Sequence, residues 1–287
     1  MLTLCLLLSI TGQKNQNNIV RANMLLKSLA KFSQEDLPVY LVSPGNTLNY
    51  IKSKLKTYKN LQYTFISDED IMPEIGKYRH VNSWYIQQVV HLLVNKIVDT
   101  EFYMLFDADV LCCREFSSSS FITNHRSYVS YIKAKNCFDW TRGSAMLLRL
   151  KETEPEDLIM GVTPNIFAKE IAGGVLAQLE QTYRCRPEHF LLEHTETHWS
   201  EYTLYYLYAR ASGLFTKKHI DFLDPRESYP ANYLLSDYSL WRKSRSQDLE
   251  GLDLTKIRQE PGYFLVVQST SPLSMEAIGR KFAPFLC

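Results

Sequence analysis

The sequence predicts an α/β fold: a mostly parallel central sheet with helices on both faces, forming one large domain with an irregular C-terminal extension. Three observations carry that prediction. Short, continuously apolar runs recur at Leu2–Leu8, Val39–Val42, Tyr63–Ile66 and Phe102–Phe106, as strands buried on both faces require. Segments with helical spacing lie between them, and such alternation produces parallel sheets covered by helices. The length, 287 residues, suits one such domain with a sizeable core.

The elements follow in chain order. Leu2–Leu8 is the first strand. It runs straight towards Thr11-Gly12, without the basic start and small-residue cleavage site of a signal peptide. Ile19, Ala22, Leu25, Leu26, Leu29 and Phe32 then recur at helical spacing. Pro38 opens the second strand, which ends at the turn Ser43-Pro44-Gly45. A basic amphipathic helix follows, with Leu48, Ile51, Leu55 and Tyr58 on one face. Tyr63–Ile66 is the third strand, closed by an acidic turn, Ser67-Asp68-Glu69-Asp70. Ser83 to Val98 reads as a helix and Phe102–Phe106 as the fourth strand. Tyr128–Ala134 and Ala145–Leu150 read as strands joined by a loop, Asp139-Trp140-Thr141-Arg142-Gly143. Thr163-Pro164 reads as a helix start, with a hydroxyl at the N-cap and proline at the first helical position. Pro187 to Trp199 is a polar, His-rich connection, and Ser200 caps a helix to Ala211. Beyond Asp221 the pattern loosens, apart from an apolar strand at Tyr263–Val267. We therefore expect a core over residues 1–215 and an extension, 216–287, packed on the same domain.

Composition narrows the function. The 32 basic and 31 acidic residues give a formal net charge of +1, which gives no support to nucleic-acid binding, where phosphates demand a basic surplus. No stretch reaches the ~20 apolar residues that cross a bilayer. The six cysteines show no C-x-x-C spacing, and Cys112-Cys113 suits neither zinc nor an easy disulfide. Reduced thiols and a cytoplasmic location are the expectation. Aromatic residues are abundant, at 13%, and serve either a core or a ligand platform.

The most informative residues are Asp107-Ala108-Asp109, at the end of the apolar run Phe102–Phe106. In open α/β sheets ligands bind beyond the carboxyl ends of the strands. Residues i and i+2 of an extended chain point to one side, about 6.6 Å apart, so two carboxylates there can share a divalent ion. Oxygen ligands favour Mg²⁺ or Mn²⁺, and the ion would in turn hold a diphosphate. Because Val110-Leu111 follows, both flanks are apolar, and burial makes uncompensated carboxylates costly. Two chemistries use such a pair: sugar transfer from a nucleotide diphosphate, and aspartyl-phosphate chemistry with the pattern D-x-D-x-[TV]. The fifth position here is Leu111, and no later strand ends in a second acidic pair. Sugar transfer fits better.

Four stretches in order, Trp84-Tyr85-Ile86-Gln87-Gln88, Phe102–Asp109, Gly161-Val162-Thr163-Pro164 and Trp199–Tyr205, resemble the GT-A glycosyltransferases. In particular they resemble a largely uncharacterised, mainly bacterial group within that superfamily. The resemblance implies a Rossmann-like GT-A sheet, with the first strand ending at Ser9 beside the nucleotide. It implies that Asp107 lies near ribose and metal, that Asp109 ligates the metal, and that Trp84 and Gln88 lie close to the donor pocket, with Arg79 just before their helix. Ser83 stands where the group usually has glycine. Where many GT-A enzymes place a third ligand, a histidine, this chain has Gln268-Ser269, and Gln268 is the candidate.

Glu201, in the first turn of a helix, occupies the place where inverting GT-A enzymes put an acidic residue. A base there would take the acceptor's proton, and the helix N-terminus would keep it ionised. His189, His194 and His198 lack an H-E-x-x-H pattern and read as an exposed or acceptor-side loop. Lys14 and Arg21 read as solvated charges. The expected function is metal-dependent transfer of a sugar, with inversion, from a UDP-sugar to a glycan or polysaccharide hydroxyl, using Mn²⁺ or Mg²⁺. The alternatives are a nucleotidyltransferase or phosphatase using the same acidic pair, or a degenerate sugar- or nucleotide-binding module.

Overall fold

In the computed structural model, residues 1–8, 15–227, 229–230 and 233–286 are described. β1 (Leu2–Leu7) is the middle strand of a five-stranded sheet. Leu2, Leu4, Cys5 and Leu6 are all buried, which explains why its sequence does not alternate. α1 (Asn15–Phe32) returns the chain on a face of Ala22, Leu25, Leu26 and Leu29. β2 (Leu37–Ser43) pairs with β1 in parallel, Leu4 opposite Val39.

α2 (Gly45–Lys54) begins inside the expected turn and stops before Leu55 and Tyr58. β3 (Leu61–Ser67) extends the parallel set, Val39 opposite Tyr63. The acidic turn after it is a short helix, α3 (Asp68–Ile71). Ser67 Oγ accepts from Asp70 N–H at 3.0 Å while the Asp70 carboxylate accepts from Ser67 N–H at 3.1 Å, a reciprocal cap.

α4 (Ser83–Leu93) is capped by Asn82 and ends in a 3₁₀ turn at Val94–Lys96. β4 (Phe102–Phe106), wholly buried, runs parallel to β1, and β5 (Val110–Cys112) follows the acidic pair. Two small antiparallel ladders come next, β6 (Ile122–Thr123) with β7 (Arg126–Ser127), and β8 (Ile132–Lys133) with β9 (Leu158–Ile159).

Three expectations for the second half are corrected. Ala145–Leu150 is not a strand, and Asp139–Gly143 is not a loop: both lie largely in α5 (Phe138–Leu148). Thr141, Ala145 and Leu148 are buried on one helical face, and a short apolar run does not by itself separate helix from strand. Gly143 is required there, because a Cβ would come within 1.8 Å of Thr197 O. Thr163-Pro164, a cis peptide, leads into a strand instead of a helix. β10 (Asn165–Ala168) runs antiparallel to β4, Ile166 opposite Met104, and only then does α6 (Lys169–Tyr183) begin. The cap signal is local, and the burial of Ile166, Phe167 and Ala168 against β4 overrides it. The His-rich connection is in large part helical, as α7 (Pro187–Glu193), with Phe190, Leu191 and Leu192 buried.

α8 (Glu201–Ala211) is capped by Ser200 as expected, Thr203 N–H donating to its Oγ at 3.3 Å. α9 (Phe215–Lys218), α10 (Ser246–Gly251) and α11 (Leu254–Gln259) are short. β11 (Phe264–Val266) pairs antiparallel with β5, and α12 (Met275–Leu286) packs against α1. The sheet order is β10-β4-β1-β2-β3.

Beneath β4 lies His219, fully buried. Its Nε2 meets Tyr205 OH at 2.7 Å and its Nδ1 meets Ser127 Oγ at 2.7 Å. Tyr205 OH also accepts from Ala168 N–H. Burial, with Arg210 adding to it, pushes the imidazole down to about 3. The unfolded chain therefore takes up this proton near pH 6.5 and the folded chain does not. The stability this neutral ring supports is complete above pH 6.5 and declines as pH falls towards 3, by on the order of 4 kcal/mol. Denaturant unfolding of wild type and His219→Gln across that range checks it. The variant should lose part of the acid slope, and an unchanged slope would contradict the assignment.

Candidate active site

β4 is held between β1 and β10, and β5 is held by β11. Asp107-Ala108-Asp109 is thus a bend pinned at both ends, Phe106 to Leu6 and Val110 to Val266. It forms part of the wall of a cavity of about 610 Å³ at the carboxyl ends of β1 and β4. Asp107 Oδ1 accepts from Gln87 Nε2 at 2.7 Å, and Asp107 N–H donates to Thr163 Oγ1 at 3.1 Å. Asp109 Oδ2 accepts from Ser269 N–H at 2.7 Å. Its Oδ1 is buried and has no hydrogen-bond partner among the described residues.

Burial pushes the Asp107 carboxyl up to about 7, and the neighbouring Asp109 adds to the shift against the pull of Gln87. Burial raises Asp109 as well, opposed by Ser269 N–H and Arg21. Two neighbouring carboxylates that are both partly withdrawn from water resist ionising together unless a cation joins them. The orphaned Oδ1 and the all-oxygen donor set fit a hard divalent ion. Among the described residues no group of three or more His, Cys, Asp or Glu side chains could hold a metal, so protein would supply the two carboxylates and leave other positions to water and phosphate, the habit of Mg²⁺.

α4 presents Trp84, Gln87, Gln88 and His91 along one side, spaced as one helical face requires. Trp84 stacks on Trp140 of α5, ring centres 5.1 Å apart at 26°, and both line the cavity. Gln88 also lines it and accepts Glu201 N–H at 3.3 Å. Gln87, the residue that touches Asp107, was legible only as a member of the Trp84–Gln88 stretch.

Glu201 is placed differently from the expectation. It is 0% exposed, it does not line the cavity, and its Oε1 lies 2.6 Å from Nδ1 of the equally buried His91. Its neighbours Ser200 and Tyr202 face the cavity. Glu201 thus lies in the core against His91, apart from the residues that line the cavity.

The other candidates separate. Arg79 lines a second, mostly apolar cavity of about 150 Å³ between the ends of β1 and β2 and the start of α4. Its guanidinium is committed to Asp68, at 2.7 and 2.8 Å, and to Glu69, at 2.7 Å. Leu7, Leu8, Ser83 and Gln87 line both cavities. Gln268 lines the larger cavity beside Asp109, its N–H donating to Leu240 O at 2.8 Å. Ser9 and Lys14 lie outside the described residues. Arg21 is buried, not solvated; its Nη1 donates to Val267 O at 2.6 Å. His189, His194 and His198 contact Glu74, Phe190 O and Tyr85 respectively. Trp241 and Arg242 of the C-terminal segment also line the larger cavity, and nothing local in the sequence marked them.

A family model described as "Family of unknown function (DUF6492)" matches residues 1–287. No curated protein matches the sequence. Among solved structures, mouse xyloside xylosyltransferase 1 in its apo form is similar with a TM-score of 0.50 and 11% identity, covering 95% of this chain and 99% of that one. Galactosyltransferase LgtC, in complex with donor and acceptor sugar analogues, gives a TM-score of 0.51 and 9% identity, covering 100% and 95%. What the chain shares with them is the GT-A fold.

Proposed function

We propose that this chain, which belongs to the DUF6492 family of unknown function, is a metal-dependent glycosyltransferase that takes its sugar from a nucleotide diphosphate. The observation that carries this reading is the half-buried Asp107–Asp109 pair, whose buried Asp109 Oδ1 has no hydrogen-bond partner among the described residues, on the wall of a cavity that adjoins a smaller apolar one. The apolar cavity suits a nucleobase and the larger one a diphosphate and sugar. UDP is the nucleotide we favour.

Asp107 and Asp109 would hold Mn²⁺ or Mg²⁺, which supplies Lewis-acid stabilisation of the departing diphosphate. Gln87 and Thr163 orient Asp107, and Ser269 N–H with Arg21 orients Asp109. The stacked Trp84 and Trp140 offer a flat apolar wall for a sugar face. Gln268 stands near enough in sequence to the Asp109 contact to add a side-chain oxygen. Residues 1–215 would carry most of the site, and 216–287 would close one wall. The enclosed Glu201 leaves the acidic pair as the only carboxylates among the described residues lining the cavity. That favours a course in which the departing diphosphate oxygen takes the acceptor's proton, with attack from the same face and retention of configuration. The acceptor would be a glycan hydroxyl. Among the described residues no helix is long and apolar enough to cross a membrane, and the unpaired Cys5, Cys112, Cys113 and Cys137 suit a reducing cytoplasm.

Incubation with a panel of nucleotide sugars and Mn²⁺ tests the reading. Slow release of free nucleoside diphosphate from one donor is expected. Release of inorganic phosphate would point to a phosphatase, pyrophosphate formation from a nucleoside triphosphate to a nucleotidyltransferase, and no turnover of any donor to a binding module.

A further inference from the structure

We propose that Arg242 is a phosphate-binding residue that closes on the donor's diphosphate from the C-terminal wall of the cavity. The proposal rests on the glycosyltransferase reading and adds a residue to it. Leu240 N–H donates to Val266 O at 2.7 Å, and Gln268 N–H donates to Leu240 O at 2.8 Å. Residue 240 is thereby stitched to the segment whose next residue, Ser269, holds Asp109 Oδ2 at 2.7 Å. Trp241 and Arg242 leave the wall within two residues of that stitch. Their turn is closed by Ser244 N–H on Trp241 O at 2.8 Å and by Trp241 N–H on Ser244 Oγ at 2.9 Å, so the backbone that carries Arg242 is fixed.

Arg242 lines the cavity and is exposed, yet among the described residues it has no hydrogen-bond or ion-pair partner. The other cationic side chain among the described residues of that wall is Arg21, already bonded to Val267 O and facing Asp109. A diphosphate ester carries two negative charges, and its leaving oxygen gains a further one as the sugar departs. A divalent ion offsets the two aspartates and Arg21 offsets one charge more, so the ligand still calls for a second cation. A planar guanidinium with its donors unengaged suits phosphate oxygens, and a charge aimed at a developing oxyanion stabilises it most. An acidic group on the acceptor is the other anion Arg242 could meet. Its tie to the Asp109 segment favours the diphosphate.

The test is calorimetric titration of wild type, Arg242→Ala and Arg242→Lys with UDP and Mn²⁺ at low and moderate salt. An exposed side chain should leave the thermal midpoint of the free protein unchanged. Arg242→Ala is expected to weaken UDP about tenfold at low salt, with a shallower salt dependence, and Arg242→Lys should recover part of the loss. If wild type binds UDP and Arg242→Ala binds it equally well, the proposal is overturned, even if transfer to acidic acceptors is impaired. If wild type itself does not bind UDP, the glycosyltransferase reading fails and this proposal with it.

Discussion

Asparagine at Asp109 is expected to abolish the Mn²⁺ dependence of nucleotide binding and to lower donor turnover by on the order of 10³-fold, equivalent to about 4 kcal/mol of transition-state stabilisation. The substitution keeps the side chain's shape and an oxygen for Ser269 N–H, which now meets Oδ2 at 2.7 Å. It removes the charge and halves the carboxylate set available to a divalent ion. The fold should survive. Asp109 is held above the ordinary carboxylate range chiefly by burial, so a neutral isostere there relieves desolvation while Arg21 keeps its bond to Val267 O. Titration of the variant with UDP, with and without Mn²⁺, gives the answer. A variant that still binds more tightly with metal would remove Asp109 from the metal site.

The second large effect concerns Glu201. Truncation to alanine should destabilise the protein by about 2–4 kcal/mol, because it opens a cavity and leaves the ring nitrogen of the buried His91, now 2.6 Å from Glu201 Oε1, without its hydrogen-bond partner. Glutamine keeps the volume and an oxygen for His91 and should cost less. Urea unfolding of both variants measures this. Glu201→Gln should also retain nucleotide binding and most of its donor turnover. An alanine variant as stable as wild type, but without transfer, would return Glu201 to the role of base.

Glu201 also shows where sequence reasoning stops. The cap at Ser200 and the helix after it were legible, because Ser200 and Thr203 form a local motif. The rotation of that helix about its axis was not, and a turn of about 100° per residue sends Ser200 and Tyr202 to the cavity and Glu201 to His91. The acidic pair was readable for the opposite reason. Five consecutive apolar residues can only be a buried strand in this context, so its polar end must lie at the carboxyl edge of the sheet. Thr163-Pro164 misled because capping chemistry and strand entry use the same residues, and burial against β4 decides between them. Trp140 was read in a loop, yet α5 brings it onto Trp84. Arg242 carried no local signal at all, since its place depends on the ladder between residues 240 and 266–268.

The most direct test of the account is calorimetric titration of the wild-type protein with UDP, with Mn²⁺ and after chelation. Binding that requires the metal, together with release of UDP from at least one UDP-sugar, is the predicted result. A protein that binds no UDP, or binds it equally well without any divalent ion, would contradict the central claim that Asp107 and Asp109 hold a metal-bound diphosphate.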